Sequence, residues 1–208
     1  IIEKDFRRMG GGGYIVRAKL LRAADFGVPQ ARERVIFIGF LKSALRSEAV
    51  TALMSQDVFS QYDPFPCPTH TDAAHKNPDP EDQVLLPTVT ARQLIGDLAE
   101  PEDSDDLSQK AYSKARFYGS HCQGQTEVNL DGLAPTIRAE HHGNIEYRRL
   151  SQSSGGTYTQ ELNAGLRERR LTVRECARLQ TFPDSYQFVS SKLSPSDGYR
   201  LIGNALPP

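Results

Sequence analysis

The chain has 208 residues, 38% of them hydrophobic, enough for one or two domains with a real core. No apolar run approaches ~20 residues, so no membrane-spanning helix is written in it, and no basic-then-apolar start marks a secretion signal. The net charge of −1 conceals an asymmetry: Asp79 to Asp106 holds nine acidic residues against Arg92 alone, so the rest is net positive and suited to a polyanion.

Ile1 to Met9 places apolar residues at Ile1, Ile2, Phe6 and Met9, the spacing of a short amphipathic helix. Gly10 to Gly13 breaks it. No strand precedes these glycines and the G-x-G-x-x-G context is missing, so they read as a loop and not as a phosphate cradle. Tyr14 to Leu21 reads as a strand, with a turn near Ala24-Asp25-Phe26-Gly27 and a second strand from Arg34 to Phe40. Side chains alternate along extended backbone, so Gln30, Arg32 and Arg34 share a face if the extension begins that early. Val35 to Phe40 is continuously apolar, as expected of a strand buried on both faces.

Ser43 to Tyr62 has room for a helix, and Pro64-Phe65-Pro66-Cys67-Pro68 marks a boundary. Cys67, His70 and His75 lack the fourth ligand and the spacing of a metal site, which leaves a polar, proline-rich connector. The three cysteines, Cys67, Cys122 and Cys176, are scattered and odd in number, as in a reducing cytoplasm. Pro87 to Leu98 reads as a helix, carried by Thr90 to Leu98, and the acidic segment after it, through Asp106, is expected to be exposed, mobile and repelled by DNA.

From Tyr112 to Arg170 the pattern is short, glycine-punctuated and irregular: small strands displaying loops, without a core of their own. His121, Gln123, Gln125, Arg138, Glu140, His141, His142, Asn144 and Arg148 are side chains able to read base edges. Leu171 to Tyr186 is a helix with both ends marked. Thr172 is an N-cap, Glu175 three residues on completes a capping box, and Pro183 is the expected stop. The chain begins without methionine and stops at Pro207-Pro208, so both ends read as cuts.

Arg174-Glu175-Cys176-Ala177-Arg178-Leu179-Gln180-Thr181-Phe182-Pro183-Asp184 resembles the ninth conserved block of the DNA cytosine carbon-5 methyltransferases. Asp25-Phe26-Gly27-Val28-Pro29-Gln30-Ala31-Arg32-Glu33-Arg34 is similar to the eighth block, and Tyr199 to Pro208 to the tenth. Ala134-Pro135-Thr136-Ile137 matches the threonine-plus-aliphatic pair of the family's target-recognition domain. The resemblance implies an α/β fold: the C-terminal part of a Rossmann-like class I methyltransferase domain with an inserted small, irregular, β-rich target-recognition domain. The implied divisions are catalytic domain over 1–68, recognition domain over 69–170, and a return to the catalytic domain over 171–208.

Residue by residue, Arg34 matches the arginine that reaches the flipped cytosine, while Gln30 and Arg32 match DNA-contacting and supporting positions. Asn204 and Ala205 match the lining of the pocket for S-adenosylmethionine. Thr136, Ile137, Arg138, His141, His142, Asn144, Arg148, His121 and Gln125 are the implied DNA contacts; no metal is implied. The family's donor-binding glycine loop, Pro-Cys nucleophile and Glu-Asn-Val block would precede Ile1. Pro66-Cys67 lies after the eighth block and is followed by proline, so it does not fit the nucleophile. The chain is therefore expected to carry the recognition part of a base-flipping enzyme and to transfer no methyl group alone. The implied partner is double-stranded DNA, in the cytoplasm at the nucleoid and without membrane association. The complete enzyme is expected to be monomeric, with its N-terminal half in the same chain or in a separate one. The alternative is a non-catalytic DNA-binding subunit or one half of a split methyltransferase.

Overall fold

The computed structural model describes residues 2–9, 13–55, 62–71, 85–114, 127–139, 145–148 and 158–208. The chain divides into two compact units, one of Ile1–Arg22 with Glu33–Pro68 and one of Ala23–Arg32 with Thr69–Pro208.

The first unit is built on two long strands, β1 (Tyr14–Arg22) and β2 (Glu33–Leu41), paired antiparallel from Tyr14 opposite Leu41 to Arg22 opposite Glu33. A short helix α1 (Ile2–Arg8) precedes them, and Phe6 sets its ring edge-on to Tyr14. Helix α2 (Ser47–Met54) follows within the stretch expected to hold one; Arg17 donates to the Leu53 and Ser55 carbonyls at its end. The strands lie where the alternation placed them, but β2 is not buried on both faces. Val35 is 52% exposed and Phe37 39% exposed, because among the described residues the sheet has two strands only and no layer covers β2. An apolar run in sequence reports what a strand can bury, not what lies against it.

The second unit contains the short pairs β3 (His70–Thr71) with β4 (Leu86–Pro87), and β5 with β6. The first pair is parallel; the second, β5 (Glu146–Arg148) and β6 (Arg169–Arg170), is antiparallel with a register shift. Helices α3 (Ala91–Ile95), α4 (Leu107–Lys110), α5 (Thr159–Asn163), α6 (Val173–Leu179) and α7 (Pro195–Asn204) complete it. One apolar cluster joins them. Ala91 and Ile95 of α3, Val128, Leu130, Ala134, Ile137 and Ile145, and Leu171, Val173, Ala177, Leu179, Tyr199 and Ile202 all belong to it. Residues 127–139, irregular in backbone, and Ile145 thus place their aliphatic side chains in one core with those of α6 and α7.

Helix α6 begins as its sequence dictates. The Glu175 N–H donates to Thr172 Oγ1 at 3.0 Å and the Thr172 N–H donates to Glu175 Oε2 at 2.8 Å, a reciprocal box at the N-terminus. Its end comes earlier than Pro183. The Phe182 N–H reaches the Ala177 carbonyl at 3.1 Å and the Thr181 N–H the Arg178 carbonyl at 2.8 Å, which closes a Schellman turn. Thr181 takes the left-handed position of that turn, at φ 62°. A β-branched residue is strained there, by about 1–2 kcal/mol. Thr181→Gly is therefore expected to raise stability by about 1 kcal/mol, read as a higher urea midpoint at unchanged slope; a lowered midpoint would refute the strain.

A layer of ion pairs surrounds α6. Arg169 and Glu175, 5% and 1% exposed, meet in a double hydrogen bond of 2.9 Å each. Arg169 also stacks on Tyr147, 3.8 Å from its ring centre, and burial pushes that phenol up to about 12. Arg170 pairs with Glu146 at 3.3 Å, Arg174 with Asp106, and Arg178 with Asp97 and Asp184 at 2.6 Å each. Asp106 comes from the acidic segment after Leu98, as does Glu100, which Arg169 also meets at 3.0 Å. The segment was expected to be exposed, and Glu102, Asp103 and Asp105 are, while Glu100 and Asp106 answer arginines around α6. Burying guanidinium groups demands carboxylates, and a charge count along the chain cannot see partners some 70 residues away (Asp106 to Arg174, separation 68). Burial also pushes the Cys176 thiol far above its ordinary range, so it is no nucleophile.

Candidate functional site

Three stretches singled out in the sequence meet around one guanidinium. The turn before β2 runs beside residues 134–137: Ala134 donates to the Pro29 carbonyl at 2.9 Å, Ala31 donates to the Ala134 carbonyl at 2.8 Å, and Gln30 bridges Ala134 in parallel. The Thr136 hydroxyl adds a bond to the Ala31 carbonyl. From this turn Arg32 reaches inward, donating to the carbonyls of Ile137 at 2.9 Å, Gly203 at 3.2 Å and Ala205 at 2.9 Å. Gln30 is fully buried and its side-chain oxygen accepts from the Ile137 N–H at 3.4 Å. Both polar side chains therefore meet protein in this arrangement, and they join segments 105 and 171 residues apart in sequence (Arg32 to Ile137 and to Gly203).

The other expected residues fall in contrasting places. Arg34 sits in β2 of the first unit, exposed, and donates to the Glu33 carbonyl at 2.7 Å. Ile137 is buried and the next residue, Arg138, is exposed, as alternation along an extended segment requires. Arg148 is 1% exposed and committed within the protein: Nε to Glu161 at 2.7 Å, Nη1 to the Arg167 carbonyl at 3.0 Å, and Nη2 to Glu100. As held here it braces β5 and does not face outward. His121, Gln125, His141, His142 and Asn144 lie outside the described residues. Asn204 ends α7 with its side chain exposed. The polar backbone groups of Ala205 are spent, its N–H on Leu201 and Ile202 and its carbonyl on Arg32.

Two participants escaped the sequence reading. Gln180, fully buried at the end of α6, donates its side-chain N–H to the Ile202 carbonyl. Gly203 lies buried in the last turn of α7 against the backbone of Arg138 and Ala139. A glutamine straight after buried Leu179 hinted at the first; for the second no local signal exists, since only the partner across the core makes glycine necessary. The start of α7 was legible in principle: Ser194, Pro195 and Asp197 form a capping box with proline in the first turn.

Among known proteins, the family model described as C-5 cytosine-specific DNA methylase matches residues 1–208. The Type II methyltransferase M.BsuRI of Bacillus subtilis is 30% identical over 215 residues, covering 100% of this chain and 42% of the relative. M.BspRI of Lysinibacillus sphaericus is 31% identical, covering 99% of this chain and 43% of its own length, and M.MthTI of Methanothermobacter thermautotrophicus is 27% identical, covering 94% and 53%. The chain thus spans about half the length of these relatives. A solved structure of S. pombe Dnmt2 methyltransferase superposes at a TM-score of 0.47 with 16% identity, covering 94% of this chain and 53% of that one.

Proposed function

From the premise that this chain belongs to the C-5 cytosine-specific DNA methylase family, we propose that it is the DNA-recognition and C-terminal part of a sequence-specific DNA cytosine-5 methyltransferase. The observation that supports this most is the junction at Arg32, where the stretches resembling the eighth block, the recognition pair and the tenth block are tied by hydrogen bonds. Such a junction suits an enzyme in which base recognition and the reaction pocket must keep a fixed relation.

The proposed division of labour follows from exposure. Attack at carbon 6 of cytosine builds negative charge on the ring carbonyl, and a positioned guanidinium stabilises it. Arg34, exposed, takes that role; Arg32 and Gln30 are buried and tie the turn before β2 to residues 134–137. The base must leave the duplex, at a cost of a few kcal/mol, to reach such a group. Arg138 contacts DNA from the recognition segment. S-adenosylmethionine, when bound, supplies the methyl group. Asn204 fits a role beside it, since an exposed carboxamide can both donate and accept hydrogen bonds. Ala205, with its backbone groups engaged, offers only apolar contact.

The test is tritiated methyl incorporation into mixed-sequence DNA. The chain alone is expected to incorporate none, and a protein joining it to the nucleophile-bearing half of a relative is expected to be active. Incorporation by the chain alone that Cys67→Ala abolishes would overturn the assignment of the nucleophile; an inactive joined protein that binds donor and DNA would favour a binding subunit.

A further inference from the structure

Gly203 is helical and buried, and its backbone is not in the left-handed region, so conformation does not explain the glycine. Contact does. A Cβ at this position would stand 2.5 Å from the carbonyl carbon of Arg138 and 2.7 Å from the Cα of Ala139. Both obstacles are backbone and neither can swing aside, as the tip of a side chain would. On its other side the same segment is fastened to the turn at residues 30–32 by Gln30, Ala31 and Arg32, with Arg32 also holding the Gly203 carbonyl. Residues 136–139 are therefore gripped between two elements, Ile137 turned into the core and Arg138 turned out.

We infer that Gly203 is a positioning residue for sequence selection: its lack of a side chain lets α7 seat the Arg138–Ala139 backbone and so sets where Arg138 is presented to DNA. The inference rests on the methyltransferase reading above. It predicts that added volume at residue 203 acts on discrimination between sites, beyond any effect on folding. Gly198, in the same helix, is the matched control. A Cβ there would meet the Phe188 carbonyl oxygen at 2.8 Å and Val173 Cγ1 at 2.9 Å, neither of them in the recognition segment.

The experiment uses the complete methyltransferase carrying Gly203→Ala or Gly198→Ala. kcat/KM is measured at saturating S-adenosylmethionine on the preferred duplex and on duplexes changed by one base pair. Gly203→Ala is expected to reduce discrimination at one base pair by roughly tenfold, the scale of one lost bidentate contact. Gly198→Ala is expected to lower the melting temperature comparably and leave the ratio as it was. Equal ratios in the two variants, or a wild-type ratio in Gly203→Ala, overturn the inference. If Gly203→Ala does not fold, Gln180→Met, which removes the side-chain bond to the Ile202 carbonyl next door, is expected to shift the ratio in the same direction, and no shift overturns the inference. Hydrogen exchange at the Ile137 amide separates this failure from that of the function itself. Faster exchange in Gly203→Ala than in Gly198→Ala upholds the seating even if wild type transfers no methyl group; equal exchange sinks it.

Discussion

Glu175→Ala is expected to destabilise the chain by about 3–5 kcal/mol, the cost of leaving a buried guanidinium without its main carboxylate. Glu175 is almost wholly enclosed, and both its oxygens accept from Arg169, one of them also from the Thr172 N–H. Its loss removes an ion pair and half of a capping box together. Arg169 would keep Glu100, but that carboxylate is shared with Arg148. The measurement is urea unfolding at neutral pH, with Asp131→Ala as the contrast. Asp131 meets Arg92 at 2.7 Å on the surface, its side chain 76% exposed, and water replaces such a pair at little cost. Asp131→Ala should leave the midpoint nearly unchanged. If both variants shift it alike, the enclosed pair contributes no more than the surface one and the account of α6 fails.

Arg34→Ala in the complete enzyme is expected to lower turnover by about 10²-fold or more, the scale of removing one positioned donor from a developing oxyanion. Affinity for DNA should fall much less, since phosphate contacts elsewhere supply most of it. Because Arg34 is exposed, the melting temperature should not move. That combination, slow but stable and still bound, distinguishes a group that acts on the base from one that supports the fold. A rate equal to wild type would remove Arg34 from the reaction.

Local features were legible in the residues. Strands β1 and β2, helix α2 and the cap of α6 are written in alternation, spacing and a box of three residues' span, and each is present. What was illegible depends on partners distant in the chain. Arg138 and Arg148 look equivalent as candidate base readers, yet one is exposed and the other is enclosed by Glu100 and Glu161. Gln30, Arg32 and Arg34 have the spacing of one strand face, but β2 begins only at Glu33, so the first two belong to the turn and point inward. Asp97, Glu100 and Asp106 are a charge run in sequence and separate ion pairs in space. Hydrophobic periodicity and capping act over a few residues; ionic pairing across a core does not, and no rule of spacing reaches it.

The two-stranded ribbon has one more consequence, for handling the protein. Val35 to Leu41 has no charged residue and no proline, and its outward side chains are partly bare. Segments of six or seven such residues stack readily into intermolecular β-structure when an edge is open. Concentrated on its own, the chain should self-associate through β2 first, with light scattering rising as the protein concentration is raised. A lysine at Val35 or Phe37 should suppress that scattering. In a cell, the interval between synthesis and the covering of β2 would then be the time in which this protein is most easily lost to aggregates.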